Sequence, residues 1–126
     1  MKHIKDFRKL KVFQKARLFH LQINKVAKTF PHHEQDILKK QLPKATDSIA
    51  ANLAEGTASP FLRKQFNYAA NAFGSAREAD YYLESAYNQN YISEAKYKEY
   101  DENIKEITKM LYGYMRTIKK EINKDA

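Results

Sequence analysis

The sequence predicts an all-α protein, an antiparallel up-down four-helix bundle with long helices. Apolar residues recur every three or four positions along most of the chain, and the helix-favouring residues Lys, Ala, Leu, Glu and Gln are plentiful. Only 3 Gly and 3 Pro interrupt the 126 residues, so the connections are short and neighbouring helices should run in opposite directions. We expect one domain over residues 1–126, with residues 1–8 as a short N-terminal arm.

The first helix is predicted from about Lys9 to Phe30. Pro31 should end it, because proline lacks an N–H and its ring clashes with the preceding turn. The apolar stripe of this helix consists of Leu10, Phe13, Ala16, Phe19, Ile23, Val26 and Phe30. Three more apolar residues fall off the stripe and widen the apolar surface beyond what one core needs: Val12, Leu18 and Leu21.

The second helix is predicted from about Asp36 to Glu55, with an apolar stripe of Leu38, Leu42, Ala45, Ile49 and Leu53. Pro43 lies inside this helix and should either kink it or mark a restart with Pro43 in the first turn. Gly56 is expected to end the helix in the left-handed conformation that glycine adopts readily.

The third helix is predicted to begin with Ser59 as the N-cap and Pro60 as the first helical residue, and to run to about Asn90. Its apolar stripe is Leu62, Phe66, Ala69, Phe73, Ala76, Leu83 and Tyr87. Asp80 falls on the same register, so one charged side chain is expected to point inward there.

Ser93 is expected to cap the fourth helix, and Glu94 suits the positive end of its dipole. The steps of the apolar stripe alternate between three and four residues, through Tyr97, Tyr100, Ile104, Ile107, Leu111, Tyr114 and Ile118. This is the spacing of a heptad seam. At about 1.5 Å per residue, the third and fourth helices should each exceed roughly 40 Å.

The net charge of +8 is unevenly distributed: residues 1–44 carry +9, residues 45–93 carry −2 and residues 94–126 carry +1. A localised basic face favours a polyanionic partner, although a solubilising Lys-rich surface is the alternative. No base-reading motif accompanies the charge, so RNA or DNA should be contacted at its phosphates and without sequence preference. The candidate residues are Lys9, Lys11, Lys15, Arg17, Lys25, Lys28, Lys39, Lys40 and Lys44.

Sequence motifs of the common enzyme classes are missing. No Glu-x-x-His pair of the di-iron bundles occurs, and no Arg is followed four to six residues later by His, as in some helical ribonucleases. Without Cys or a Gly-rich phosphate loop, a nucleophile with its base is hard to assemble, and His20 has no obvious acid partner. We expect no catalytic residue, no metal and no cofactor.

No apolar run approaches the roughly 20 residues that would cross a bilayer. The N-terminus also lacks the apolar block of a secretory signal. These features predict a cytoplasmic protein without membrane contact. Most of the 9 Tyr and 7 Phe lie on the apolar stripes and should fill the core, although aromatic rings can also stack on bases. The residues left over for an interface are Tyr81, Tyr82 and Tyr112.

Polar residues also gather beside the stripes of the second and third helices. Ser48, Asn52 and Glu55 share one face of the second helix, and Gly74, Ser75 and Glu78 lie together on the third. We expect such residues to pair and fix the helix register, the alternative being a ligand or partner site. In detail, Gln41 could meet Ser75 or Glu78, Asn52 or Glu55 could meet Arg63, and Gly74 would allow close approach of the backbones.

Four blocks of the sequence follow the order that is typical of one protein family. They are Phe7, Leu10, Val12, Lys15 and Ala16; Phe30, Pro31 and Glu34; Gln41, Lys44, Ala45, Ser48, Ile49, Asn52, Glu55 and Gly56; and Gly74, Ser75 and Glu78. The chain thereby resembles the bacterial four-helix-bundle proteins encoded within intervening sequences of large-subunit ribosomal RNA genes. Pro43 departs from the family pattern, which has a helix-compatible residue there.

The resemblance implies an antiparallel four-helix bundle similar to the accessory subunit of diversity-generating retroelements. That subunit is a barrel-shaped homopentamer that binds nucleic acid and a reverse transcriptase. Three functions remain as alternatives: an oligomeric nucleic-acid-binding protein, a scaffold that docks a protein such as a reverse transcriptase, and a mobile-element product without strongly selected activity.

Overall fold

The computed structural model describes residues 5–34 and 37–125. Four α-helices make up most of this described part: α1 (Lys11–Ala27), α2 (Leu38–Thr57), α3 (Leu62–Asn88) and α4 (Glu94–Asp125). Single 3₁₀ turns, Phe7–Lys9 and His32–Glu34, precede and follow α1. Consecutive helices pack against each other as antiparallel neighbours, and a smaller contact between α1 and α4 closes the bundle. The predicted all-α four-helix bundle is confirmed.

The core contains the predicted stripes of α2 and α4 almost residue by residue. All five stripe residues of α2 are buried, and those of α4 are buried except for the partly covered Tyr97 and Tyr114. α3 contributes small side chains that allow close helix packing: Ala69, Ala72, Ala76, Ala79 and Ala86. No helix in the described ranges is long and apolar enough to span a membrane.

The predicted stripe of α1 was wrong at its first turn. Leu10 is not helical but has extended backbone angles and serves as the N-cap. Val12, which was expected to lie off the stripe, is buried in the core. Leu18 and Leu21 do lie off the core side, with 65% and 51% of their surface exposed.

The start of α3 departs from the prediction. α3 begins at Leu62 because the Ser59 hydroxyl accepts the Phe61 N–H at 3.1 Å and Phe61 itself has extended backbone angles. The predicted start of α2 at Asp36 lies outside the described residues, as do residues 1–4 of the predicted arm. The cap of α4 is confirmed, because Ser93 Oγ accepts the Lys96 N–H at 3.2 Å.

α2 also differs from the prediction in its interior and at its end. It runs continuously through Pro43, so the predicted restart there does not occur. Gly56 is not left-handed: it lies inside α2, which continues to Thr57, and the positive φ among the described residues belongs to Asn90, at 65°. A Cβ at Gly56 would lie 2.8 Å from Tyr68 Cβ, so this glycine permits the close approach of α2 and α3. The close approach expected at Gly74 was wrong, because a Cβ there would meet nothing within 4 Å.

Candidate nucleic-acid interface

α1 is the most strongly basic helix of the bundle. It carries four cationic residues and no acidic one: Lys11, Lys15, Arg17 and Lys25. All nine cations proposed from the sequence reach the surface, and only Lys15 and Lys39 are half-buried. Two strips of cations result, one facing α4 and the other facing outward from α1 and α2.

The first strip borders a groove between α1 and α4. Lys25 lines its larger part, of about 360 Å³, together with Val26 of α1 and Tyr100 of α4. Lys15 lines a neighbouring part of about 200 Å³ and forms an ion pair with Glu106 of α4, at 3.0 Å. That pair partly neutralises Lys15. Lys11 precedes Lys15 by one helical turn and is exposed.

The second strip lies on the outward sides of α1 and α2. Arg17 and Lys28 are about three turns apart, and Lys40 and Lys44 are about one turn apart. All four side chains are exposed, and none forms an ion pair within the described part of the chain. These cations are therefore free to meet phosphates, and we call them the outward strip. The remaining two candidates flank it: Lys9 in the first 3₁₀ turn and Lys39 half-buried on α2.

A buried polar contact holds α1 and α2 in register beneath this strip. The Thr46 hydroxyl, fully buried, donates to the Pro43 carbonyl at 3.0 Å and lies 2.8 Å from His20 Nδ1. Because the hydroxyl proton is used, His20 Nδ1 must be the donor. The opposite ring nitrogen faces Asp47 at 3.7 Å. Sequence reasoning found no acid near His20 because Asp47 lies on the next helix.

The polar residues of α2 and α3 meet as a small structural cluster. Ser75 donates to Ser48 Oγ at 2.9 Å, and Asn52 donates to the same oxygen at 3.0 Å and to the Ser48 carbonyl at 2.8 Å. The expected partner of Ser75 was therefore wrong: it is Ser48, not Gln41. The connection was predicted over residues 56–60, with the third helix folding back near residue 57 or 58, whereas it occupies residues 58–61, and this later turn shifts the pairing of the two helices toward Ser48. Glu55 and Glu78 are exposed.

Two carboxylates, Asp80 of α3 and Asp101 of α4, lie near each other where these helices pack. Burial, followed by the nearby Asp101 carboxylate, raises the pKa of the half-buried Asp80. Lys105 binds Asp101 at 2.6 Å. Tyr87 and Tyr97 stack beside them, with ring centroids 4.3 Å apart. The inward Asp80 expected from the sequence is thus accommodated beside α4.

Comparison with known proteins is consistent with this architecture. A model of the 23S rRNA-intervening sequence protein family matches residues 8–113. The chain belongs to that family. It is also similar to the crystal structure of a protein of unknown function from the S23 ribosomal protein family of Bacteroides thetaiotaomicron. The two are 24% identical, the TM-score is 0.77, and the match covers 83% of this chain and 95% of that one. No curated protein matches.

The family match ends at residue 113, within α4, and a second basic surface begins close to that point. Four cations and one tyrosine recur there at helical spacing, and we call them the α4 stripe: Lys109, Tyr112, Arg116, Lys119 and Lys120. Sequence reasoning missed this stripe because charge was averaged over residues 94–126. The acidic residues of α4 concentrate before residue 107 and the basic ones after it.

Proposed function

We propose that the chain is a non-catalytic, cytoplasmic nucleic-acid-binding protein that contacts the phosphate backbone of RNA or DNA without sequence preference. The observation that carries this proposal is the outward strip, in which Arg17, Lys28, Lys40 and Lys44 are exposed without acidic partners among the described residues. Each neutralised phosphate releases condensed counterions, which makes the binding favourable at low salt and weak at high salt.

The geometry of the outward strip favours contact with phosphates over contact with bases. Arg17 and Lys28 are separated by about 16 Å along α1, which is the rise of eleven helical residues. Long flexible Lys and Arg side chains on the outer surface of two packed helices can reach the phosphates of a nucleic acid easily. Reading base edges instead requires an element inserted in a groove, and no element formed by residues 5–34 or 37–125 projects from the bundle in that way.

The test is the salt dependence of binding, measured by fluorescence anisotropy with a labelled duplex and a labelled single strand. Wild-type protein should bind both at low salt. In Lys28→Glu/Lys40→Glu the slope of log affinity against log salt should fall by about two, one for each lost phosphate contact. The affinity of this double variant for both probes should be at least tenfold lower than that of the wild type at low salt.

The matched control is Lys96→Glu/Lys98→Glu, which changes the net charge equally. These two lysines already pair with Glu99 and Glu94, so the slope should stay near that of the wild type. If wild-type protein binds neither probe at low salt, or if both double variants weaken binding equally, the proposed interface is wrong.

Self-association is the second part of the proposal. Leu18 and Leu21 expose large apolar surfaces on α1, and Leu18 also lines the groove with α4; such surfaces are typical of protein contacts. The resemblance to the retroelement accessory subunit suggests a homopentamer. The mass of the protein in solution, measured at low and high salt with and without nucleic acid, tests this directly: a monomer under all conditions would contradict it.

The alternative is a scaffold or accessory subunit that docks a protein partner, such as a reverse transcriptase. The same exposed leucines and groove support it, with the charge then serving to steer an acidic partner. A pull-down that survives nuclease and high salt would favour the scaffold over the nucleic-acid-binding protein.

A further inference from the structure

The α4 stripe is a basic surface that is separate from the outward strip. Its five residues follow one another at steps of three, four and three with Lys120 adjacent, so they share one side of the helix. All five are exposed. Between residues 107 and 120 the sequence has no Asp or Glu, and the preceding Glu106 is engaged with Lys15 on α1. The cations of the stripe form no ion pair in the described ranges.

Tyr112 sets this surface apart from an ordinary solubilising face. The other tyrosines of α4 pack on the core, whereas Tyr112 leaves 57% of its surface exposed. Its ring has no aromatic or cationic neighbour within the described part of the chain. An exposed aromatic ring between cations is the arrangement with which proteins stack unpaired bases while holding the backbone.

The start of α3 carries a similar combination of exposed residues near this end of α4. Leu62 and Ile118 pack in one apolar cluster, which places the start of α3 beside the last turns of α4. Arg63 and Lys64 are exposed there, and Phe61 is 62% exposed with Lys64 Nζ lying 5.8 Å from its ring centroid. Basic charge and an exposed aromatic ring are therefore present at the start of α3 as well.

We propose that the α4 stripe binds single-stranded nucleic acid, with Tyr112 stacked on an unpaired base and the flanking cations on phosphates. This inference rests on the proposed function and adds a preference for unpaired strands. Lys109 and Lys120 are about 16 Å apart along α4, a length that matches roughly five stacked nucleotides at 3.4 Å each. Paired bases are stacked within a duplex, so a duplex offers no free face to Tyr112.

The test compares Tyr112→Ala with Tyr112→Phe, which keeps the ring, and with Tyr81→Ala. Tyr81 is the matched control because it is exposed to a similar degree, 67%, but lies on α3. Affinities are measured by anisotropy on a labelled oligothymidine and on a mixed-sequence duplex of the same length. Tyr112→Ala should weaken single-strand binding about tenfold, and should change duplex binding less than twofold, as one lost stack predicts. The other two variants should bind both probes as the wild type does.

Two outcomes would overturn this inference. One is single-strand binding by Tyr112→Ala that equals that of Tyr81→Ala. The other is an equal loss on both probes. In either case, a loss of binding in Lys28→Glu/Lys40→Glu would leave the proposed function intact. Wild-type protein that binds neither probe at low salt would overturn both. Circular dichroism melting of each variant establishes that the fold is retained.

Discussion

Gly56→Ala tests whether Gly56 is required for the close packing of α2 against α3 or only lowers the helix propensity of α2. The new Cβ would lie 2.8 Å from Tyr68 Cβ and 3.5 Å from the Gln65 carbonyl oxygen, and neither is the far end of a flexible side chain. α2 and α3 must therefore move apart locally. Overpacking of this kind costs about 1–3 kcal/mol. The higher helix propensity of alanine offsets at most about 1 kcal/mol of that cost.

The same substitution at Gly74 and Gly113 provides the control. Both glycines lie within helices, and a Cβ at either would meet nothing within 4 Å, so both variants should gain up to about 1 kcal/mol. Urea unfolding followed by circular dichroism would measure the free energies of unfolding at an unchanged m-value. We expect Gly56→Ala to be about 1–3 kcal/mol less stable than Gly74→Ala. Equal stability of the two variants would refute the close approach at Gly56.

Two further perturbations address the polar and titratable groups of the bundle. Ser48→Ala and Ser75→Ala, made singly and together, should show a coupling of about 1 kcal/mol in the free energy of unfolding, because the two hydroxyls share a 2.9 Å hydrogen bond. If the two losses of stability simply add, that hydrogen bond is contradicted. Burial, aided by Glu121, raises the pKa of Tyr114 to about 12, above its ordinary 10. The unfolded chain therefore releases the Tyr114 proton at a lower pH than the folded chain does, so the stability of the protein should fall as the pH rises from 10 to 12. In thermal melts over that pH range, Tyr114→Phe should lose less stability than the wild type.

The helices and most of the core could be predicted because burial follows a helical period. In α2 and α4, residues such as Ile49 and Leu111 fall on stripes that the structure buries. α1 was mispredicted at its start because Leu10 was counted as helical. Since Leu10 is extended, it does not belong to the helical register, and Val12 takes the first buried position of α1.

Contacts between helices were predicted less well, because they depend on the position of the turns. Ser75 was paired with the region of Gln41 on the assumption that α3 folds back about a turn near residue 57 or 58. α2 instead runs to Thr57 and the turn occupies 58–61, which shifts the pairing toward the C-terminal half of α2, and the observed partner of Ser75 is Ser48. A glycine in a sequence likewise does not reveal whether it serves a left-handed turn or close packing. Only the partner helix decides that, as Tyr68 does for Gly56.

The net charge of α4 does not reveal that several of its cations lie together on one exposed side of the helix. Cations near a helix C-terminus stabilise the dipole, but this effect is confined to about the last turn and so accounts for Lys124 alone. Lys109 and Arg116 lie farther back, without ion pairs in the described ranges. Neither the dipole nor the core requires these cations, and packing does not require the exposed Tyr112 between them. A surface that folding does not explain is where a ligand should be sought, and its composition favours unpaired nucleic acid.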